Sequence, residues 1–333
     1  MTILIITNSY DLHADLMQEI LTEWQQSCFR LNLNEFPKHF HINYQIIDNQ
    51  PCTTLTHLPS GEILELDKVG AVWARKSADF CFESDDLSPQ ELAFAQQETK
   101  HVLNSLVYGL DCYWMSHPSA VRYAAFKGEQ AIRAAKMGFD VPDALVTNCG
   151  ETVKAFKQKL TGQMITKAMS DASLSVSDVA LEDQQVGGMP TTLVSEAHME
   201  NIDAVREIPT YFQAYNEKQF ELRVTVIGEQ AFAAKIDSQS CDSTRVDYRD
   251  FSAEIAYEAY TLPTEVEKRC LDFVHSYQLE YGAIDLIVTP DNKYVFLENN
   301  PVGQFWFVQQ LVPELQMLEA VADKLVTEAK CRR

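Results

Sequence analysis

The stretch Tyr281–Pro301 reads YGAIDLIVTPDNKYVFLENNP, and it decides the fold. Two runs rich in β-branched and aromatic residues, Ile284–Val288 and Tyr294–Leu297, lie on either side of Pro290-Asp291-Asn292-Lys293. Such runs are typical of strands, and Pro, Asp and Asn in succession are typical of a turn. The stretch therefore predicts a β-hairpin.

The predicted hairpin brings two carboxylates together. If Asp291-Asn292 forms a two-residue loop, Asp285 faces Glu298 across the ladder. Strand alternation then places Asn300 on the same face. Opposed like charges destabilise a sheet, and a hard cation such as Mg²⁺, which prefers oxygen ligands, offers a reason to tolerate them. The hairpin alone favours a metal site, with a solvated strand face as the alternative.

The hairpin also resembles a known family. Asp285 on one strand, with Leu297-Glu298-Asn299-Asn300-Pro301 on the next, resembles the magnesium signature of ATP-grasp ligases. The segments YGAIDLIVTP, FLENNPVGQFW and ELRVTVIGEQAFAAKIDSQ resemble more specifically the graspetide synthetases, which are microviridin-type peptide cyclases. The element VWARK, which contains Arg75, is similar to a segment of the same family. The resemblance spans nearly the whole chain and is strongest over residues 210–305.

The resemblance implies a fold and its subdivision. It implies an α/β (α+β) ATP-grasp fold with a pre-ATP-grasp domain over residues 1–118 and a central subdomain over residues 119–212. Residues 213–333 then form the C-terminal subdomain that carries the metal hairpin. A polar stretch at about residues 170–192 occupies the position of the mobile loop that covers ATP in many ATP-grasp enzymes.

The resemblance also implies the site residues. Asp285, Glu298 and Asn300 are expected to hold Mg²⁺, in two ions, that bridge the phosphates of ATP. The residues expected to contact ATP are Lys127, Lys167, Arg223 and, through the backbone, Gln213, Ala214 and Tyr215. Those expected to act in catalysis or to grip the acidic core peptide are Arg223, Arg249 and Lys167. Weaker candidates are Arg245 for the peptide, Glu217 for the ribose and Arg75 for the substrate.

The residue types leave alternatives open at several of these positions. A lone helical lysine such as Lys127 is ordinarily solvated. Lys167 closes an apolar strand, which is an unusual place for a free ammonium unless it meets an anion. Arg223 shares a strand face with Glu221, so a plain cross-strand ion pair is the alternative to anion binding. A planar guanidinium suits phosphoryl and carboxylate groups because it donates two parallel hydrogen bonds.

Composition limits the possible partners. The chain has 333 residues and a formal net charge of −21, which argues against nucleic acid and anionic membranes as partners. Its eight cysteines form no CxxC pair, so reduced thiols are expected. The N-terminus lacks the basic region of a signal peptide, and we expect a cytoplasmic protein.

These observations predict an ATP-dependent ligase acting on a ribosomal precursor peptide. The resemblance implies that Asp or Glu side chains become acyl phosphates, and that Ser, Thr or Lys side chains then close lactones or lactams. It also implies a surface for the helical leader segment of the precursor, and a homodimer. The alternatives are an ATP-grasp ligase joining a free amine or amino acid to a peptide or small acid, and a non-catalytic nucleotide-binding regulator. No activated Cys–His pairing or nucleophile elbow is evident.

Overall fold

The computed structural model describes residues 1–170, 190–249 and 253–331. The strands are β1 (Thr2–Thr7), β2 (Cys28–Asn32), β3 (Phe40–Ile47), β4 (Gln50–His57), β5 (Glu62–Glu65), β6 (Val69–Ala74), β7 (Tyr113–Trp114), β8 (Ala144–Thr147), β9 (Met164–Thr166), β10 (Thr192–Leu193), β11 (Thr210–Ala214), β12 (Phe220–Ile227), β13 (Gln230–Ile236), β14 (Tyr257–Tyr260), β15 (Tyr281–Val288) and β16 (Tyr294–Asn300). The α-helices are α1 (Leu12–Glu23), α2 (Pro89–Val107), α3 (Pro118–Ala124), α4 (Lys127–Lys136), α5 (Gly150–Lys159), α6 (Glu196–Glu200), α7 (Thr264–His275), α8 (Trp306–Leu311) and α9 (Met317–Cys331). Within these ranges no helix combines the length and the apolar character needed to cross a membrane.

The N-terminal sheet is parallel and covered on both faces. Its strand order is β2-β1-β6-β7. Alternate residues of β1 point to opposite faces: Ile3 and Ile5 pack in the same core cluster as α1 and α9, whereas Leu4 packs in the cluster that contains Leu103 of α2. The continuous apolar run of β1 follows from this double burial. A separate antiparallel sheet, β3-β4-β5, follows in the chain.

Two antiparallel sheets build the rest of the molecule. The central sheet has the order β10-β9-β11-β8, and the C-terminal sheet has the order β14-β13-β12-β15-β16. One face of the C-terminal sheet packs in a core cluster with α7. The turn between β12 and β13 begins at Gly228, whose φ of +55° suits a two-residue hairpin loop. The opposite face of this sheet carries the polar side chains described below.

The predicted hairpin exists, but its turn differs from the prediction. Asp285 pairs with Glu298, as expected. Near the turn, however, Val288 pairs with Tyr294 and the Thr289 N–H donates to the Lys293 carbonyl oxygen at 3.0 Å. The loop therefore has three residues, 290–292, rather than two, and Asn292 adopts a φ of +59°. The register shifts between Asp285 and Leu286, opposite which Leu297 of β16 is the extra residue of a β-bulge that restores the expected register.

The helical segment that contains Lys127 is divided into two helices. α3 ends at Ala124 and α4 begins at Lys127, with Phe126 as its N-cap. The buried Gln130 side chain donates to the Ala124 carbonyl oxygen at 2.6 Å, and so satisfies an acceptor at the end of α3. The break places Lys127 in the first turn of α4, where its side chain reaches the C-terminal sheet.

Candidate functional site

Arg223 and Asp285 form a buried ion pair at the centre of the polar face. They are directly opposed on β12 and β15. The Nη1 atom of Arg223 donates to Asp285 Oδ1 at 2.9 Å and Oδ2 at 3.0 Å, and its Nη2 atom donates to the Gln304 carbonyl oxygen at 3.2 Å. Burial raises the pKa of Asp285, and Glu298 raises it further against the opposing effect of Arg223. Arg223 therefore forms a cross-strand ion pair with Asp285, whereas Glu221, the partner considered from the sequence, pairs with Lys218.

Glu298 lies on the next strand and faces a group of cations. Lys127 Nζ lies 3.3 Å from Glu298 Oε2, and Arg249 Nη1 lies 3.9 Å from Oε1. Burial favours a higher pKa for Glu298, but Lys167, Lys127 and Arg249 outweigh burial and lower it. Lys127 is thus not a solvated helical lysine. Its Nζ also donates to the carbonyl oxygens of Ala168 and Ser170 at 3.2 and 3.3 Å.

Gln130 holds this part of the site together, and sequence reasoning missed it. Its side-chain nitrogen donates to the Asn299 carbonyl oxygen at 2.8 Å, and its oxygen accepts from the Asn299 N–H at 2.8 Å. Gln130 is 1% exposed. Because it binds both polar backbone atoms of the residue after Glu298, it locks the start of α4 to β16. A polar residue on an otherwise alanine-rich helix face was the available signal.

A cavity between the central and C-terminal sheets contains many of the expected ATP-contacting residues. Lys167, Gln213, Ala214 and Tyr215 line it together with Asp285, Leu297, Glu298 and Arg249. The N–H groups of Ala214 and Tyr215 already donate to the carbonyl oxygens of Asp143 and Gln163. The buried Oε1 of Gln213, by contrast, has no hydrogen-bond partner among the described residues. The cavity thus presents one unsatisfied hydrogen-bond acceptor, the Oε1 of Gln213, next to the backbone of Ala214 and Tyr215.

Lys167 lies just beyond β9 with its ammonium near the carboxylates. Burial lowers its pKa against the influence of Glu298, and Lys127 and Arg249 lower the pKa further. No salt bridge within the described ranges involves Lys167, whose Nζ lies 5.8 Å from the Tyr211 ring centroid. A lysine crowded by other cations in a cavity is poised for an additional anion.

Lys218 and Glu221 form a second buried pair that the sequence did not reveal. Lys218 Nζ donates to Glu221 Oε1 at 2.6 Å, and both residues line the cavity. Burial raises the pKa of Glu221 against the effect of Lys218. The neighbouring Glu217, a weak expectation for the ribose, is exposed and is not among the cavity-lining residues.

The two arginines expected to grip the peptide differ in their surroundings. Arg249 donates to Asp247 through Nε at 2.8 Å and Nη2 at 2.7 Å, and it lines the cavity. Arg245 is exposed and pairs with Asp242 at 3.2 Å. Only Arg249 reaches Glu298. The expected mobile loop lies mostly at residues 171–189, outside the described residues.

His13 connects the N-terminal sheet to the segment after β16, and sequence reasoning also missed it. Its Nε2 accepts hydrogen bonds from the N–H groups of Phe305 and Trp306 at 3.4 and 3.2 Å. Its Nδ1 lies 3.6 Å from Oδ1 of Asp11. Asp11 in turn accepts from Arg75 Nε at 2.8 Å. Gln304, whose carbonyl oxygen accepts from Arg223, directly precedes Phe305. The buried contacts that run from Arg75 through Asp11 to His13 therefore hold the segment after β16 next to Asp285.

The donor set fits a hard divalent cation that shares its ligands with an anion. Asp285 and Glu298 are both buried, and the Asn300 amide lies 3.5 Å from Asp285 Oδ2. Within the described ranges no three His, Cys, Asp or Glu side chains cluster as a complete metal site. Two carboxylates and an amide leave coordination positions for water and phosphate oxygens, which is how Mg²⁺ is ordinarily bound.

Comparison with known proteins agrees with this geometry. Residues 2–122 match the family model of the MvdD pre-ATP grasp domain. No curated protein matches the chain. Among solved structures, the macrocyclase MdnC of Microcystis aeruginosa MRC, bound with precursor peptide MdnA, is 29% identical, with a TM-score of 0.84. The match covers 98% of this chain and 100% of MdnC.

Two further structures are similar over the whole chain. A RiPP-associated ATP-grasp ligase of Chryseobacterium gregarium, in complex with ADP and a leader and core peptide, is 28% identical with a TM-score of 0.88, covering 98% of this chain and 97% of that one. The macrocyclase MdnB of Microcystis aeruginosa MRC is 26% identical with a TM-score of 0.77, covering 98% and 99%. The expected ATP-grasp fold and the resemblance to the graspetide synthetases are thereby confirmed.

Proposed function

We propose that this enzyme activates Asp or Glu side chains of a ribosomal precursor peptide with ATP and closes lactone or lactam cross-links within that peptide. The observation that carries the proposal is the rung formed by Asp285 and Glu298. It lies beside Arg223 and Lys127 and lines the cavity that Lys167 also lines. Opposed carboxylates surrounded by cations suit a metal–polyphosphate substrate better than a structural role.

The reaction has two steps. A substrate carboxylate attacks the terminal phosphorus of ATP, the bond from that phosphorus to its bridging oxygen breaks, and ADP leaves. A Ser or Thr hydroxyl, or a Lys amine, of the same peptide then attacks the acyl carbonyl, loses its proton to solvent, and expels phosphate. Both steps spread negative charge over oxygens, so positioned cations lower the barrier.

The roles of the residues follow from their positions. Arg223 and Lys167 contact the transferred phosphoryl group, and Lys127 contacts the other phosphates. Arg249, which is half exposed at the mouth of the cavity, holds the acidic side chain of the peptide. The Oε1 of Gln213 is an acceptor suited to the amino group of adenine, next to the backbone of Ala214 and Tyr215.

Asp285, Glu298 and Asn300 would hold Mg²⁺, in two ions. The metal would neutralise the phosphate oxygens. In the structure Arg223 and Lys127 neutralise these carboxylates, and both side chains would turn toward phosphate oxygens once a cation binds. A bound divalent cation would therefore replace Arg223 and Lys127 as the positive neighbours of Asp285 and Glu298.

We further propose that the protein is a cytoplasmic homodimer. The eight cysteines contain no CxxC pair, and scattered cysteines fit reduced thiols in a reducing compartment. The hairpin formed by β3 and β4 spans Phe40–His57 and carries one Asp, Asp48, as its only Lys, Arg, Asp or Glu residue. In a chain of net charge −21, two copies can approach without strong repulsion at such a surface.

Mass spectrometry of a candidate precursor incubated with the enzyme, ATP and Mg²⁺ tests the proposal. Each cross-link removes one water from the peptide, and fragmentation locates the ring. Glu298→Gln should abolish the loss, whereas Glu217→Gln, which alters an exposed carboxylate outside the cavity lining, should leave it unchanged. ATP hydrolysis with an unchanged peptide, or a gain of mass, would favour ligation of a free amine instead. Failure to bind ATP would overturn the proposed function.

A further inference from the structure

A large groove opens at the C-terminal ends of β1 and β6, on the N-terminal side of the site. Its volume is about 1050 Å³. From β1 the chain passes to β2 on one side, and it later returns to β6 on the other side. The groove therefore lies at the topological switch point of a parallel sheet, where the strand ends diverge and open α/β sheets bind their ligands.

The charge of the groove is opposite to that of the molecule. The chain contains 27 Lys and Arg against 48 Asp and Glu. Among the groove-lining residues, however, Arg75, Lys76, Lys100 and Arg122 stand against Asp79 alone. Concentrating positive charge in one cleft of an acidic protein focuses its potential there and favours anionic ligands.

Two of these cations are free for a ligand. Arg75 is committed to Asp11, and Lys76 Nζ lies 3.8 Å from the same carboxylate. Lys100 on α2 and Arg122 on α3 are exposed and take part in no salt bridge within the described part of the chain. They line the groove from two different helices, so a ligand bound there would meet positive charge from both.

The groove borders a cavity of the candidate active site at Val302. Val302 lines the groove and also a smaller cavity that contains Arg223, Asp285 and Asn300. The side chains of Tyr10 and Tyr108, both exposed, provide apolar contact area at the groove wall. A peptide that has one carboxylate at Arg223 would therefore extend past Val302 toward the groove.

We infer that this groove binds an extended acidic segment of the peptide substrate, adjacent in sequence to the residues that react. The inference rests on the proposed function. It assigns Lys100 and Arg122 to substrate binding, at a distance from the cavity that holds Lys167 and Gln213. The segment it binds presents carboxylate side chains, since carboxylates are the anionic groups of an unmodified peptide.

The test uses fluorescence anisotropy with two short fluorescein-labelled peptides, one of alternating Glu and Thr and one of alternating Gln and Thr. The full-length enzyme should bind the Glu peptide and not the Gln peptide. Lys100→Glu/Arg122→Glu should weaken binding of the Glu peptide by about tenfold or more. The matched double variant Lys136→Glu/Lys159→Glu alters two exposed lysines elsewhere, changes the net charge equally, and should bind as the unaltered enzyme does.

Equal weakening by both double variants would show that only overall charge matters and would overturn the inference. Absence of binding to the Glu peptide would overturn it too. MgATP binding, measured on the same samples, separates this outcome from failure of the proposed function. If the unaltered enzyme binds MgATP but not the Glu peptide, the result counts against the groove alone, whereas absence of MgATP binding counts against the ligase.

Discussion

Arg223 and Asp285 neutralise each other inside the sheet, and each compensates the buried charge of the other when no cation is bound. Their side chains are about nine-tenths buried or more. Removing one partner of a buried ion pair leaves an uncompensated charge and costs about 3–5 kcal/mol. Arg223→Met should therefore lower the stability of the metal-free protein by about this amount, and ligation should slow by about 10²–10³-fold because a phosphoryl-binding cation is lost.

The same pair offers a test of the metal site. In Arg223→Met, Mg²⁺ should raise the melting temperature more than it does in the unaltered protein, because the cation replaces the missing guanidinium at Asp285. The double variant Arg223→Met/Asp285→Asn should recover much of the stability and lose the response to Mg²⁺. Calorimetry on the three proteins with and without Mg²⁺ provides the comparison. An identical Mg²⁺ response in all three would contradict metal binding at Asp285.

Gly303 leaves room for the guanidinium of Arg223. A Cβ atom at this position would lie 2.7 Å from Arg223 Nη2 and 2.9 Å from the Ala283 Cβ. Gly303→Ala should therefore displace Arg223, cost about 1–3 kcal/mol through overpacking, and reduce ligation. Gly162→Ala, where nothing lies within 4 Å of the added atom, is the matched control and should leave both properties unchanged. Thermal unfolding and the rate of water loss from the peptide measure the two effects.

The pairing of Asp285 with Glu298 was predictable from the sequence, but the loop length and the β-bulge that produce it were not. The prediction assumed a two-residue loop, whereas the structure has a three-residue loop and a compensating bulge. The bulge puts two consecutive residues of one strand opposite a single partner, so Leu297 and Glu298 both line the cavity while Phe296 remains in the core. A turn sequence and strand alternation determine pairing only where the ladder is regular, so the sequence could not reveal the bulge.

Residues that act through tertiary contacts were beyond sequence reasoning. Gln130 binds the backbone of Asn299, which is 169 positions away, and His13 binds the backbone of Phe305 and Trp306, which are 292 and 293 positions away. Neither residue belongs to a local motif, because each partner is a backbone group with no residue signature. By contrast, Lys127, Lys167 and Arg223 were identified from segments that resemble a known family, and the structure brings all three to one site.

His13 should make stability depend on pH. Burial lowers the pKa of His13, as do Arg75 and Lys76, against the influence of Asp11. The folded protein keeps the imidazole neutral so that Nε2 can accept from Phe305 and Trp306. Below the unfolded-state pKa of about 6.5 the unfolded chain binds a proton that the folded chain does not. The free energy of unfolding therefore falls as the pH drops below about 6.5, by up to about 1.4 kcal/mol per pH unit.

Replacing the imidazole tests this dependence. His13→Gln retains a side-chain acceptor but no group that titrates near neutrality, so the slope between about pH 5 and about pH 6.5 should decrease. Denaturant unfolding at a series of pH values measures it. His101→Gln, on the exposed face of α2, serves as the control and should retain the original slope. A slope unaltered in His13→Gln would assign the acid sensitivity to other groups.

The hairpin of β3 and β4, in which Asp48 is the only Lys, Arg, Asp or Glu residue, should mediate dimer formation. β3 is an edge strand, and its Ile46 and Ile47 are 60% and 61% exposed. An exposed apolar edge strand without charged residues is prone to pair with another chain. Ile46→Asp should therefore convert the dimer to a monomer in sedimentation velocity, since two-fold symmetry brings the new carboxylate close to its copy. Ile208→Asp, at a residue 63% exposed outside the hairpin, should remain dimeric, and a dimer that persists in Ile46→Asp would place the interface on another surface.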